Sequence, residues 1–171
     1  MVLMLVAHDP GWAARYQDEA GHIQSALGVN AVALHHIGST AIPNILAKPV
    51  IDMLAGVTRI EAVDDCTDAM ARVGYEAKGE FGLAGRRYFR KTDGRGQRTH
   101  HLHVYDHESP DFQRHLAFRD YLRAFPEHAR RYSVLKAGLL ADPDIGRQDY
   151  QTAKGPLVAE LQQQALAWVK A

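Results

Sequence analysis

The run Val50 to Val57, VIDMLAGV, carries a single charge, Asp52, among residues that otherwise read as a short buried strand entered from Lys48-Pro49 and left at Thr58. A carboxylate in such a run is costly to bury unless it is paired, hydrogen-bonded or bound to a cation. The fold must therefore give Asp52 a partner, a cavity or a solvent edge. Because strand side chains alternate, Asp52 shares a side with Leu54, while Ile51, Met53 and Ala55 share the other.

Two flanking segments bear on which solution the chain takes. Upstream, Val32 to Ile37 is a short strand candidate closed by the corner Gly38-Ser39-Thr40. Such a corner offers backbone amides and two hydroxyls to phosphate oxygens with no large side chain in the way, and Lys48 could add a point charge. Turns also use Gly and Ser for backbone reasons alone, and Asp52 could simply pair with Lys48 or Arg87, so a plain turn and a structural acid stand as alternatives. Downstream, Thr99 to Tyr105 places His101, His103 and Tyr105 on one side and His100, Leu102 and Val104 on the other. If that strand neighbours the Asp52 strand, Asp52, His101 and His103 share a face, where two imidazoles and a third ligand could take a transition metal. Ordinary hydrogen-bonded strand histidines are the alternative, and His35 and His36 carry the same ambiguity.

The remaining pattern sets the architecture. A helix is expected over Trp12 to Leu27, ended by Gly28, and another around Ile60 to Val73, with Thr58 as N-cap and Gly74 at its end. Strands are expected at Tyr75 to Lys78 and Arg87 to Thr92, the latter joined to the histidine strand by the hairpin loop Asp93-Gly94-Arg95-Gly96. The C-terminal third is helical in pattern, with breaks at Pro126, Asp142-Pro143 and Gly155-Pro156. This order predicts an α+β layer, with helices on one face of a mixed sheet and the other face available. In GEFGLAGRRYFRKTDGRGQR, Arg86, Tyr88 and Arg90 oppose Arg87, Phe89 and Lys91, so half of the charge could line a pocket for a polyphosphate; a solvated hairpin is the plainer reading. Tyr150 and Lys154, four apart on one helical face, could present Lys154 to an anion, against a surface lysine as the alternative.

Composition narrows the function classes. With 171 residues, 46% of them hydrophobic, one substantial core is expected and residues 1–171 are read as one domain. The 20 basic and 20 acidic residues cancel, which argues against a nucleic-acid or lipid-surface partner. Cys66 stands alone, so no disulfide framework forms. The apolar opening Met1 to Asp9 lacks the basic leading region of a signal peptide, and no run approaches a bilayer span, which leads us to expect a soluble, cytoplasmic protein. Neither a Walker loop nor a dinucleotide fingerprint is present.

Taken together, the blocks DPGW, HIGSTAIPNILAKPVIDM, GEFGLAGRRYFRK, THHLHV, HLAFRDYLRAFPEHARRYSVLK and YQTAKGPLV resemble the GrpB family, which is assigned to the nucleotidyltransferase-fold superfamily. The resemblance implies a nucleotidyltransferase-like mixed β-sheet with flanking helices and a helical C-terminal third. It makes Ile37-Gly38-Ser39 the counterpart of the superfamily's phosphate-binding turn. Active members carry two acids one residue apart on the following strand and a third on a later strand, which hold divalent metal ions. Asp52 falls on the first acid, Leu54 stands where the second would be, and histidines stand where the third would be. Asn44 replaces a usual Gly, and Ala7-His8 a common Pro-Tyr. The implied function is binding of a small-molecule nucleotide or phosphorylated metabolite. Gly38, Ser39, Thr40, Lys48, Arg87 and Lys154 would face phosphate. Asp52, His101 and His103 would act as catalytic groups and as ligands of a divalent metal, Mg or Mn, with Zn or Ni ranked behind. The chemistry would be either nucleotidyl transfer with a rearranged acid set or non-catalytic binding, as a module or adaptor linked to coenzyme A metabolism, since similar domains are fused to dephospho-coenzyme A kinases.

Overall fold

The computed structural model describes residues 4–171, so the first three residues of the apolar opening lie outside the described residues. The chain runs α1 (Gly11–Leu27), β1 (Ala31–Ile37), β2 (Ile51–Val57), a 3-10 segment (Ile60–Cys66) continuing into α2 (Thr67–Arg72), β3 (Tyr75–Ala77), β4 (Arg87–Thr92), β5 (Arg98–Asp106), α3 (Pro110–Ala124), α4 (Pro126–Leu140) and α5 (Arg147–Lys170). The strands form one mixed sheet in the order β1-β2-β5-β4-β3, in which β2 and β5 are parallel and the other pairs antiparallel.

Strand alternation sorts the sheet's side chains as their sequence requires. On one face Ile51, Met53, Ala55, Phe89, Leu102 and Val104 join Trp12, Ile23 and Leu27 of α1 in the main core. Each of these residues is 3% exposed or less, so this face is sealed. The second face is not the open surface expected from the order of elements. Its apolar members Ile37, Leu54 and Tyr105 are covered by Phe112 of α3, because leaving three such side chains in water would forfeit their burial energy. Beyond this contact, α3, α4 and α5 pack on one another around Tyr121, Leu122, Ala129, Tyr132 and Leu161.

Three local expectations need correction. The helix expected over Ile60 to Val73 is a 3-10 segment followed by a short α-helix, and its start is tied not by Thr58 but by Asn30, whose side chain accepts from Arg59 N–H and donates to Arg59 C=O, both at 2.9 Å. Strand β3 ends one residue short of Lys78. Gly155-Pro156 does not break α5, which runs through it. A proline costs an interior helix one backbone hydrogen bond, and the packing of Leu161 and Ala165, both fully buried, holds the helix continuous past that point. Pro126 does separate α3 from α4, and Asp142-Pro143 falls in the turn after α4. Asn44 has φ 64°, in the left-handed region where glycine is favoured and asparagine tolerated, so this position suits either residue. Among the described residues, no helix is long and apolar enough to cross a membrane.

Leu54 is fully buried against Ile37, Tyr105 and Phe112. Leu54→Ala is expected to lower unfolding free energy by about 2–5 kcal/mol, read from urea denaturation.

Candidate functional site

The site begins with strand register. In the antiparallel β1–β2 pair Ile37 stands opposite Asp52, so the chain leaving β1 turns directly beside the carboxylate. Gly38 makes that turn at φ 73°, and a Cβ built on it would lie 2.7 Å from Asp52 Oδ2 and 2.9 Å from Asp52 Cβ. Only glycine meets both demands, positive φ and bare close approach. Ser39 to Ala41 then form a single 3-10 turn, in which Ala41 N–H bonds Gly38 C=O and Ile42 N–H bonds Ser39 C=O. The amides of Ser39 and Thr40 precede this ladder.

On the other side of β2, the parallel register sets His101 opposite Asp52 and His103 opposite Leu54. His101 Nδ1 is 3.3 Å and His103 Nε2 3.9 Å from Asp52 Oδ1. Burial alone would push the Asp52 carboxyl up, but the two imidazoles beside it outweigh that and hold it far below the ordinary carboxylate range. Its side chain remains 32% exposed, and it opens into a cavity of about 130 Å³.

The cavity is lined by Gly38, Ser39, Thr40, Lys48, Asp52 and His101, and on the helical side by Tyr132, Lys136, Tyr150 and Lys154. Lys136, 3% exposed on α4, donates from Nζ to Ser39 Oγ at 2.8 Å and to the Leu46 carbonyl at 2.7 Å. One turn earlier, Ser133 Oγ accepts from Leu46 N–H at 3.0 Å. Burial, together with Lys154 and Lys48, pulls the Lys136 ammonium down to about 7 against the pull of Asp52. Burial and Lys48 pull Lys154 down to about 8, and burial lowers Lys48 as well. Three lysines thus face one carboxylate, and their mutual repulsion leaves room for an anion. Two polar atoms on cavity-lining residues, Tyr150 Oη and His101 Nε2, are buried with no hydrogen-bond partner.

Of the sequence-predicted residues, Gly38, Ser39, Thr40, Lys48, Asp52, His101 and Lys154 come together at this cavity. Arg87 does not. It lies on the core-side face of β4 with Phe89 and forms an ion pair with Asp64, Nε to Oδ1 2.7 Å and Nη2 to Oδ2 3.1 Å. Its neighbour Arg86 reaches the site face instead, donating from Nη1 to His103 Nδ1 at 3.3 Å and from Nη2 to the Phe81 carbonyl at 2.8 Å. His103 is therefore set behind the cavity wall, between Arg86, Tyr88 and His115.

This arrangement argues against the metal set Asp52, His101 and His103. A guanidinium donating to His103 Nδ1 leaves the ring proton of neutral His103 on Nε2, the atom facing Asp52, where a metal would need a lone pair. Leu54 offers no ligand atom, and among the described residues no group of three or more His, Cys, Asp or Glu side chains is arranged to hold a metal ion. As they stand, Asp52, His101 and His103 do not form a ready three-donor metal site. Lys136 and Tyr132 escaped the sequence reading, although Tyr132-Lys136 repeats the i, i+4 pattern of Tyr150-Lys154 and both lysines lie over their tyrosine rings, at 4.6 and 5.1 Å.

The sequence model described as GrpB protein matches residues 2–164. The chain belongs to the GrpB family. It is 43% identical over 166 residues to UPF0157 protein YqkA of Bacillus subtilis, covering 97% of this chain and 48% of YqkA, so it spans about half the length of that relative. A protein named dephospho-CoA kinase in Mycobacterium tuberculosis is 30% identical over 194 residues, covering 98% of this chain and 47% of the kinase. The crystal structure of GrpB from Enterococcus faecalis superposes with a TM-score of 0.91 at 39% identity, over 98% of this chain and 100% of that one. Terminal uridylyl transferase 4 of Trypanosoma brucei, solved with bound dUTP, superposes at a TM-score of 0.52 and 12% identity, over 92% of this chain and 55% of the transferase. That likeness shows that this chain has a nucleotidyltransferase-like fold.

Two outcomes follow from the corner. Gly38→Ala is expected to cost about 1–3 kcal/mol, measured by chemical denaturation, because the added methyl meets Asp52 in a disfavoured backbone region. A carboxyl held below its unfolded pKa stabilises the folded state above about pH 4 and loses that contribution as pH falls toward the folded value. The urea midpoint of the native protein is therefore expected to drop more steeply from pH 5 to pH 2 than that of Asp52→Asn.

Proposed function

We propose that this GrpB-family chain binds a nucleotide or phosphorylated metabolite through its phosphate groups, as a binding module and not as a two-metal transferase. The observation that carries the reading is the convergence of Lys48, Lys136 and Lys154, from three separate segments, on the cavity floored by Ser39 and Asp52. Each lysine is buried enough to lose part of its hydration, and an entering phosphate would restore the charge balance that their proximity strains. Tyr150 Oη would gain an acceptor it otherwise lacks. The Ser39 and Thr40 amides and hydroxyls supply the short contacts that orient phosphate oxygens.

The module reading is preferred to nucleotidyl transfer because Leu54 occupies the place of the second acid and is itself needed for packing. A domain that binds without turning over also suits a chain whose relatives include a protein named dephospho-CoA kinase, in which this segment spans under half the length.

The test is isothermal titration of the full chain with ATP, UTP, dephospho-coenzyme A and tripolyphosphate, with and without magnesium or manganese. Lys136→Met is expected to weaken triphosphate binding by about 10- to 100-fold, the worth of one charge-assisted hydrogen bond, with the thermal unfolding midpoint recorded alongside. Since Lys136 and Lys154 lose their charge near pH 7 and 8, affinity for tripolyphosphate is expected to fall as pH rises from 7 to 9. Failure of every anion to bind would overturn the reading, and release of pyrophosphate from a nucleoside triphosphate would replace it with transfer.

A further inference from the structure

A cavity of about 130 Å³ has room for phosphate groups and little else, because pockets that enclose a drug-sized organic molecule measure roughly 300–1,000 Å³. Whatever carries the phosphates must therefore leave the cavity. Next to it lies a groove of about 410 Å³, lined by Met4, Lys48, Pro49, Val50, the Gly96-Gln97 tip of the β4–β5 hairpin and Arg98. Lys48 and Val50 belong to both linings, so the two spaces adjoin at the segment that leads into β2.

The groove's chemistry differs from the cavity's. Met4 is 57% exposed and stands with Pro49 and Val50 as an apolar wall, in which the polarisable thioether adapts to a flat partner. Beside it, the Gly96-Gln97 tip has a fixed shape, since Gly96 N–H bonds the Asp93 carbonyl at 3.0 Å, Gln97 C=O accepts from Asp93 N–H at 2.8 Å, and Asp93 Oδ1 accepts from Arg95 N–H at 2.8 Å and Gln97 N–H at 3.0 Å, while the exposed Gln97 side chain brings an amide able to donate and accept. Arg98 supplies a planar cation able to stack on an aromatic ring. Around the junction, Arg98 and Arg147 lie close enough to Lys48 to disfavour its charge, a concentration of positive charge that would draw a phosphate chain along the passage.

We infer that this groove is a nucleoside subsite: the ligand is a nucleoside polyphosphate whose base lies between Met4, Pro49 and the hairpin tip, and whose phosphates pass Lys48 into the cavity. The inference rests on the anion-binding reading of the cavity and adds the identity of the organic part. An apolar wall, a guanidinium able to stack and the Gln97 side-chain amide, continuous with a cationic hollow too small for a base, match a heteroaromatic ring joined to a short anionic chain.

The experiment compares ATP and UTP with tripolyphosphate on the full chain by titration calorimetry, using the native protein and the variants Met4→Ser and Arg98→Gln. The native protein is expected to bind at least one nucleotide about tenfold or more tightly than tripolyphosphate, and each variant to shrink that ratio toward one. Met4 is exposed, so Met4→Ser is expected to leave folding and tripolyphosphate affinity unchanged. Equal affinity of nucleotides and tripolyphosphate for the native protein, or a nucleotide preference that both variants retain, would overturn the groove assignment while leaving the anion site intact. Loss of binding for every anion would instead remove the reading beneath it.

Discussion

The structure depends on how one half-buried carboxylate is satisfied. Asp52 sits in the middle strand of three, with Ile37 opposite it on one side and His101 on the other. A charged group in that position would be untenable without partners, and the register supplies them from both neighbours: two imidazoles across the parallel pair and the bare Gly38 corner across the antiparallel one. The same register turns the first residues after β1 toward the acid, so that the corner and the carboxylate share one cavity. Sheet pairing, the positive φ of Gly38 and the state of Asp52 are three aspects of one constraint.

That constraint also explains the division of the second sheet face. Near the ends of β1 and β2 the face is polar and opens into the cavity. Two residues along β2, Leu54 joins Ile37, Tyr105 and Phe112 in a closed apolar contact. A strand with acids at both positions would leave that contact without its central side chain. Here Leu54 serves the packing of α3 on the sheet, and the helices that follow contribute Lys136 and Lys154 to the cavity. The site thus sets one acid, kept ionised by the imidazoles beside it, against three lysines.

How much of this could be read from sequence varies with the kind of signal. Period-two alternation placed Asp52, His101 and His103 on one face correctly, because alternation is a local property of extended backbone. The same rule put Arg87 with Phe89, and following it strictly would have sent Arg87 to the core side, where it pairs with Asp64. Gly38 was visible as a corner, yet its close approach to Asp52 depends on strand pairing that no local pattern specifies. The helical cover of the second face is not legible in the alternation alone, because Leu54 and Tyr105 stand among polar residues on that side and only their demand for burial points to a covering helix. Lys136 was hidden among apolar residues of α4, a setting in which a lysine commonly reaches for solvent. Its register with Tyr132 was the available clue. Pro156 misled for the opposite reason: a strong local breaker yielded to the packing of α5.

Lys136 Nζ spans from the Leu46 carbonyl to Ser39 Oγ, and Ser133 beside it holds Leu46 N–H, so α4 is clasped to the loop between β1 and β2 by the very ammonium that faces the cavity. A guest that competes with Ser39 for that ammonium acts on the clasp itself. Binding at that point and the tightness of the helix-to-sheet seam would then be thermodynamically linked, so that either could be read through the other.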